Sequence, residues 1–439
     1  MRKFATAFCF ALFLIRILAA AQDKPAQLSG FDRDRAHSML QMVADDVRKH
    51  YYDPTLHGVD FDARIREADA KIQAAPTLGQ AFTTIAWALE SLNDSHTYFI
   101  PPMRTNRTEY GWRMQMVGDR CFVTQVRPKS DAEAKGLRIG DEILMVNNLV
   151  PARDQFHVLL YLYNVLRPQV GLKLKVRGTD GQVRELAVMS SIRQGKTIID
   201  LASGADLWEF VRDLERGDHD SRWRCVEFGE ELIVCKFPVF NLDESGVHNF
   251  VSRIKKHKNL VLDLRGNPGG SVETLQNLVG GFFDHPVTIG ERVGRKEQKP
   301  LVAKPLPRDT FTGKAVVLVD HGSASAAELF ARTMQLQKRA TVVGDVSSGL
   351  VMEAKSYTYH SGDESRVFYG VLITDANIVM PDGKSLEHTG VAPDRLMVPS
   401  QADLAGGLDT VLTDAASVLG LKLSPEQAGK LFPYEWPYQ

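Results

Sequence analysis

A serine at the start of a helix is the first residue whose position suggests chemistry. Residues 315–319 are apolar and predict a short buried strand, a turn follows, and good helix formers begin at Ala324. A strand, a tight turn, a serine and a helix can expose a nucleophilic hydroxyl, which favours Ser325, with Ser323 as the helix N-cap. The plain alternative is a capped helix after a buried strand, with no chemistry.

A histidine in a second polar segment could act as the base. Residues 91–102 follow a helix-like run and bring Asp94, Ser95 and His96 into consecutive positions. Imidazole is the usual base for activating a hydroxyl because its ordinary pKa lies near neutrality. His96 is therefore the candidate base, although most single histidines are ordinary surface or core residues.

Two glycine-rich segments add a carboxylate and exposed backbone. Residues 381–394 place Glu387 among turn-forming residues, and residues 260–270 predict a buried strand that runs into a turn with Gly269 and Gly270. Glycine lets a backbone approach a ligand closely. The first N–H groups of a helix lack intrahelical partners, so that of Ala326 could hold a developing oxyanion.

Taken together and in this order, the four segments resemble the carboxyl-terminal processing (tail-specific) protease family, which includes the tricorn protease core. The resemblance covers about residues 30 to 400. It implies a serine-type endopeptidase with a ClpP/crotonase-like catalytic core and an inserted PDZ domain. It also implies an oxyanion hole made by the N–H groups of Ala326 and of Gly269 or Gly270, and it favours the second glycine.

The chain departs from the family's usual catalytic pair. Most of these proteases use a Ser/Lys dyad whose lysine lies in a Gly-Lys-Gly after the nucleophile, and Leu350 occupies that position here. Leucine cannot accept a proton. Lys355 is near, but it lies in an alternating run that predicts a strand, with no reason for it to point inward.

The tricorn-like branch of the family uses a tetrad, and this sequence fills each of its positions. The resemblance assigns Ser325 as nucleophile and His96 as general base. Ser95 would orient His96, and Glu387 would hold Ser95. Such a relay is chemically sensible because a neutral imidazole needs a partner on its second nitrogen to present the correct tautomer.

Composition indicates a large soluble protein. The chain has 439 residues, of which 44% are hydrophobic and 24% charged, enough for two or three domains. A net charge of −1 gives no electrostatic argument for nucleic acid or for an anionic membrane surface. No residue spacing suggests a metal site, and no cofactor is indicated. The expected partner is a peptide or unfolded protein substrate; the oligomeric state is left open.

The first 21 residues are typical of a signal peptide. Arg2 and Lys3 precede a mostly apolar run, and residues 19–21 offer a small-residue cleavage site. The run is short for a membrane span and contains Arg16. We therefore expect an exported bacterial protein, periplasmic or secreted, with no stable membrane span.

Three cysteines remain after the leader, and two of them flank a predicted β-hairpin. Cys225 and Cys235 are symmetric about Glu230 and could face each other across the strands. In an oxidising compartment they could form a disulfide. A reduced buried pair is equally consistent with the sequence, because free cysteine behaves as a small hydrophobe.

These elements predict an α/β (α+β) fold in several parts. After the signal peptide at 1–21 we expect a helical N-terminal domain at 30–105 that carries Ser95 and His96, a PDZ-like domain at 108–193, a catalytic core at 205–400, and a C-terminal helix and tail at 401–439. Within the core, strands near 232–238, 260–264, 316–319 and 340–343 alternate with helices. Such alternation indicates mainly parallel strand pairing.

The PDZ-like part suggests how a substrate could be held. Gly111, Trp112, Arg113 and Met114 stand where the family has its carboxylate-binding loop and the following strand, and residues 155–166 would be the groove helix. A PDZ groove binds an extended C-terminus by adding it as a strand. The alternative is a structural insert with a closed groove, and the bulk of Trp112 favours it.

Two other functions remain compatible with the fold. One is a catalytically inactive peptide- or ligand-binding protein, which the missing lysine favours and the filled tetrad opposes. The other is an acyl-CoA enzyme, because the core resembles the crotonases. The expected export and the PDZ-like insert oppose the second.

Overall fold

A computed structural model describes residues 28–102, 106–194, 222–306, 310–361 and 367–436. The predicted signal peptide at 1–21 lies outside the described residues, as do the start of the predicted core and the last three residues of the chain. The described part mixes helices with sheets, and the α/β fold class is confirmed. None of its helices is long and apolar enough to cross a bilayer.

Three helices and a short strand form the N-terminal region: α1 (Gly30–His50), α2 (Phe61–Ala74), α3 (Leu78–Glu90) and β1 (Tyr98–Ile100). Ser29, Asp60 and Thr77 are the N-caps of the three helices, and each side chain accepts a backbone N–H of the first turn. The segment with Ser95 and His96 joins α3 to β1.

The predicted PDZ-like region is an antiparallel sheet with short helices. Its elements are β2 (Asn106–Glu109), β3 (Trp112–Val117), β4 (Arg120–Val126), α4 (Asp131–Ala134), β5 (Glu142–Val146), α5 (Phe156–Tyr161), β6 (Gly171–Arg177), β7 (Val183–Met189) and β8 (Ser191–Gln194). Strands β3 to β7 pair in chain order, so β3 lies at an edge of that sheet. The groove helix predicted at 155–166 is found as α5 followed directly by a π-helical turn at Leu162–Leu166.

The core begins with β9 (Arg224–Phe228), β10 (Leu232–Lys236), α6 (Glu244–Ile254), β11 (Asn259–Asp263), α7 (Val272–Gly280), β12 (Val287–Gly294) and β13 (Gln298–Ala303). It continues with β14 (Lys314–Val319), α8 (Ala326–Leu336), β15 (Thr341–Gly344), β16 (Glu353–Ser361), β17 (Val367–Val379) and β18 (Arg395–Leu396). Six strands form one sheet in the order β18-β15-β14-β11-β10-β9, all parallel except β9. The predicted alternation of strand and helix is therefore found.

A second core sheet attaches the N-terminal region. Its long strand β17 pairs antiparallel with β1, β12 and β16. Phe99 of β1 lies opposite Val371 of β17, and both belong to the buried cluster formed with α1, α2 and α3. This pairing fixes the position of the Ser95–His96 segment relative to the core.

The C-terminal part differs from the single closing helix expected at 403–419. It forms α9 (Gln401–Gly406), α10 (Thr410–Val418) and α11 (Pro425–Ala428). Gly407 ends α9 with φ 65°, a left-handed conformation that glycine adopts without strain, so one continuous helix was a wrong prediction.

Two side-chain contacts complete the fold. Cys225 and Cys235 are opposite each other on β9 and β10 and form a disulfide, which decides between the two alternatives that the sequence left open. Further along the chain, the Tyr434 ring lies 5.3 Å from the Arg113 guanidinium, so the C-terminal tail reaches the PDZ-like region.

Candidate active site

Ser325 lies in a strained turn between β14 and α8. It is the N-cap of α8, with φ 53° and ψ −120°. Such a conformation costs about 1–3 kcal/mol for a residue other than glycine, and it persists only where surrounding contacts hold it. One such contact is the Ser325 N–H, which donates to the Leu350 carbonyl at 2.8 Å.

The N-cap expected at Ser323 was a wrong prediction. Helix α8 begins only at Ala326, so Ser323 lies too early to cap it. Its hydroxyl is fully buried and donates to the Leu264 carbonyl at 2.8 Å. Ser323 therefore ties the turn before the helix to the end of β11.

The glycine-rich turn after β11 packs directly on Ser325. A Cβ atom on Gly269, where φ is 93°, would lie 2.6 Å from the Ser325 Cβ and 2.8 Å from the Ala326 nitrogen, so only glycine fits. The Gly269 N–H donates to Asn267 Oδ1 at 2.8 Å. No hydrogen bond of the Gly270 N–H is found within the described residues, so this group differs from the Gly269 N–H in being available to a ligand.

Ser95, His96 and Glu387 are joined by hydrogen bonds. The Ser95 hydroxyl lies 2.7 Å from His96 Nδ1 and donates to Glu387 Oε2 at 3.0 Å. A carboxylate only accepts, so the hydroxyl proton points to Glu387 and the Ser95 oxygen accepts from Nδ1–H. This arrangement leaves His96 Nε2 unprotonated, which is the tautomer that a general base requires.

Asp94 fixes the backbone of the same segment. Its buried carboxylate accepts the His96 N–H at 2.8 Å, the Thr97 N–H at 2.9 Å and the Thr374 hydroxyl at 2.6 Å. Thr374 belongs to β17, so Asp94 anchors the base to the core. The sequence placed Asp94 next to His96 without a role; an aspartate that bonds a backbone N–H two residues later is typical of such turns.

Burial sets the protonation of His96. Removal from water lowers the pKa of its imidazole below the usual 6.5, and the nearby carboxylates of Glu387 and Asp94 oppose that shift without overcoming it. His96 is therefore neutral at physiological pH and able to take up a proton.

Ser325 and His96 are not hydrogen-bonded to each other in the described part of the chain. Residues 350–351 connect Ser325 to the group that contains His96. The Leu350 carbonyl accepts from the Ser325 N–H, and the Val351 N–H donates to Glu387 Oε2 at 2.8 Å. In free enzymes the hydrogen bonds needed for catalysis are often long and tighten only when substrate binds.

The lysine alternative has little support from the geometry. Leu350 contributes backbone contacts at the position where the family has its lysine. The Lys355 ammonium pairs with Asp375 at 2.6 Å, and its side chain is 63% exposed. Lys355 is thus engaged elsewhere, in an ion pair with a buried carboxylate.

Glu328 is a buried carboxylate that the sequence analysis missed. It lies in the first turn of α8 and is 0% exposed, and its oxygens accept four hydrogen bonds, one of them from the Ser325 N–H at 3.0 Å. The pattern Ser-x-x-Glu is a known capping-box signature and could have indicated the Ser325 contact. Nothing in the pattern indicates the other three donors.

The four residues of the predicted PDZ loop have different environments. Trp112 is buried in the hydrophobic core of its own sheet, and Met114 packs against that core. Gly111 has φ 73°, and Arg113 lies over the Tyr434 ring of the tail. Arg113 thus connects the predicted loop to the C-terminal tail.

A cavity of about 240 Å³ adjoins Glu387. Asp94, Met352 and His388 contribute to its walls, whereas Ser325 and His96 do not. Of the four proposed site residues, Glu387 alone lines this cavity.

Comparison with known protein families identifies two regions of the chain. Residues 232–397 match the model described as peptidase family S41, and residues 102–158 match that of the PDZ domain. The region that carries Ser325 and Glu387 is thus similar to peptidase family S41. The S41 match contains Ser325, Glu328 and Glu387, whereas Ser95 and His96 precede both matched regions.

Two curated relatives of this chain are named as processing enzymes. Over 377 residues it is 25% identical to the chloroplastic carboxyl-terminal-processing peptidase 1 of Arabidopsis thaliana, which covers 81% of this chain and 69% of that protein. It is 24% identical to the carboxy-terminal processing protease CtpB of Bacillus subtilis (strain 168), covering 70% of this chain and 60% of that protein. The chain thus spans less than two thirds of the Bacillus protein.

A solved structure shares the fold of this chain. The crystal structure of mature CPAF superposes with a TM-score of 0.63 at 16% sequence identity, over 86% of this chain and 95% of that one. At this identity the likeness concerns the fold alone.

Proposed function

We propose that the chain is a serine endopeptidase that works through a Ser/His/Ser/Glu tetrad rather than a Ser/Lys dyad. The observation that carries the proposal is the hydrogen-bonded series His96–Ser95–Glu387, which presents an unprotonated Nε2 in the same site as a strained Ser325. The match of residues 232–397 to peptidase family S41 supports peptide hydrolysis as the reaction.

In the proposed reaction, Ser325 Oγ attacks the carbonyl carbon of a peptide bond while His96 Nε2 takes up the hydroxyl proton. The N–H groups of Gly270 and Ala326 hold the resulting oxyanion. His96 then gives the proton to the leaving amine, and an acyl-enzyme forms on Ser325. Water, deprotonated by His96, hydrolyses the ester and restores the serine.

Ser95 and Glu387 stabilise the charged state of the base. When His96 becomes imidazolium, its Nδ1–H remains donated to Ser95, whose own hydroxyl is held by the Glu387 carboxylate. The negative charge of Glu387 favours the imidazolium. The pair thus performs the task that a single aspartate performs in a Ser-His-Asp triad.

The proposed substrate is a peptide or unfolded protein whose C-terminus binds at the PDZ domain. Strand β3 is an edge strand, which can pair with an added extended peptide. We further propose an exported protein with a signal peptide at 1–21 and domains at 30–105, 108–193 and 205–400. The Cys225–Cys235 disulfide supports an oxidising compartment.

The test is labelling with a fluorophosphonate, combined with peptide hydrolysis. The parent chain should be labelled on Ser325, as located by mass spectrometry, and Ser325→Ala should abolish both labelling and hydrolysis. His96→Ala should be labelled at least about 10²-fold more slowly if it loses its general base. A folded parent that neither labels nor hydrolyses peptides would favour a catalytically inactive binding protein, the alternative that the absent Ser325–His96 hydrogen bond supports.

A further inference from the structure

Glu328 makes more contacts than a helix cap requires. Its Oε1 accepts the Ser347 hydroxyl at 2.6 Å and the Gly349 N–H at 2.7 Å. Its Oε2 accepts the N–H groups of Ser325 and Leu350, each at 3.0 Å. Two carboxylate oxygens offer about four acceptor positions, so the donors around this group use its full capacity.

We propose that Glu328 is a positioning residue for the nucleophile, and that its ionised carboxylate fixes Ser325 to the segment at residues 347–350. The proposal rests on the proposed function and deepens it. The same segment continues into Val351, whose N–H is bound by Glu387. Two carboxylates thus hold one short segment, one on the side of the nucleophile and the other on the side of the base.

The four donors favour the ionised carboxylate. The Ser347 oxygen accepts the Val391 N–H at 2.6 Å, so its own proton is free to point at Glu328. The other three donors are backbone N–H groups, which cannot accept. A protonated Glu328 could keep its contact with Ser347 only by donating to the hydroxyl oxygen, and it would lose the negative charge that strengthens the three N–H bonds.

Burial makes that protonation accessible near neutral pH. Removal from water raises the pKa of Glu328 to about 7, although its four hydrogen bonds lower it. As the pH falls through this range, the carboxyl gains a proton and the nucleophile loses part of its support. Activity should therefore begin to fall near pH 7, above the range in which His96 becomes protonated.

Other titratable groups near the segment come from three elements. Glu387 and His388 lie in the loop after β17, where the His388 backbone N–H donates to the Gly349 carbonyl at 2.7 Å. His96 lies before β1. Arg332, one turn along α8, is paired with Asp382 at 2.6 Å and is thus engaged away from the carboxylate.

The first test compares Glu328→Gln with the parent between pH 5 and 9. The amide NH2 group of glutamine can only donate, so it cannot accept the backbone N–H groups that bond the carboxylate. We therefore expect kcat at pH 8 to fall by about 10²-fold with little change in KM, as for a misplaced nucleophile. The step near pH 7 should disappear from the pH profile of the fluorophosphonate labelling rate. Glu244→Gln, an exposed glutamate in the first turn of α6, is the matched control and should behave as the parent.

Ser347→Ala keeps the carboxylate and removes one donor to its ionised form. Because the Ser347 hydrogen bond lowers the pKa of Glu328, the step near pH 7 in the labelling rate should move to higher pH in this variant. A merely structural defect would not produce that shift. The proposal is overturned if Glu328→Gln retains the parent's kcat and its step near pH 7, or if Ser347→Ala leaves that step in place.

A second readout does not depend on activity. Because the folded pKa of Glu328 lies above its unfolded value of 4.5, its protonation stabilises the folded state at low pH, and this contribution is lost as the pH rises through about 7. The melting temperature of the parent should rise relative to Glu328→Gln between pH 7.5 and 5. A constant difference would overturn the proposal. If this linkage is present but the parent neither labels nor hydrolyses peptides, the proposed function fails instead.

Discussion

Glu387 holds Ser95 by two hydrogen bonds at once. The Ser95 backbone N–H donates to Oε1 at 2.9 Å, and its hydroxyl donates to Oε2 at 3.0 Å. These residues lie 292 positions apart in the chain. The contact therefore fixes the loop after β17 to the segment that carries His96. It also orients the Ser95 hydroxyl so that its proton points to Glu387 and its oxygen accepts from His96 Nδ1–H.

We expect Glu387→Gln to lower kcat by about 10- to 10²-fold while changing KM little, because the relay stabilises an imidazolium that exists only as the reaction proceeds. Ser95→Ala should have a similar effect. The double variant should be little slower than either single variant, since the two residues act as a unit. Steady-state kinetics on a peptide substrate measures all three.

The matched control for this series is Glu230→Gln, an exposed glutamate in the β9–β10 turn. It should leave both constants unchanged. Rate losses that simply multiply in the double variant would show that Ser95 and Glu387 act independently, contrary to the relay.

The protonation of His96 should be visible as a separate step at acid pH. Burial lowers the pKa of its imidazole below 6.5, so the active neutral form persists to lower pH and activity is lost only as the pH falls through that lowered value. The labelling rate of Glu328→Gln, which lacks the step near pH 7, should reveal it most clearly. A midpoint above 6.5 in this variant would contradict a buried, neutral base.

Lys355→Ala should keep most of the parent's activity. The Lys355 ammonium is paired with Asp375, but that carboxylate is also paired with Arg292 at 2.6 Å and keeps a cationic partner when the lysine is removed. The variant should therefore fold and hydrolyse peptides at a rate near that of the parent. An inactive Lys355→Ala together with a fully active His96→Ala would instead identify a displaced Ser/Lys dyad.

Loss of the Cys225–Cys235 disulfide should destabilise the chain without changing its fold. The bridge closes a loop with a sequence separation of 10. For so short a loop, the chain-entropy model gives about 2–3 kcal/mol. Unfolding in urea with and without a reducing agent measures the loss, and the Cys225→Ala/Cys235→Ala variant, which has no bridge to break, should not respond to the reductant.

The sequence predicted the regular elements of the core well because they depend on local patterns. The apolar run at residues 315–319 became β14, and the helix formers after it became α8. The closing helix failed at Gly407, whose left-handed conformation interrupts an otherwise helical composition. The cap expected at Ser323 failed because the turn before α8 is longer than the spacing suggested.

The candidate site was harder to predict from the sequence. The contacts of Ser95 with His96 and Glu387 were expected only through the family resemblance, and they are present, while the catalytic roles of these residues stay predictions. Glu328 was taken as a helix former. Its burial depends on a loop that folds back from residues 347–350, and no local pattern encodes such a contact.

The pairing of β1 with β17 also has a consequence for newly made chains. Thr97, next to the base, bonds Thr374 across 277 residues of sequence. Contacts between such distant residues carry a high loop-closure cost and tend to form slowly. A chain in which β1 has not yet paired with β17 would have Ser325 without its proposed base. The proposed peptidase would therefore be inactive towards other proteins until these two strands have paired.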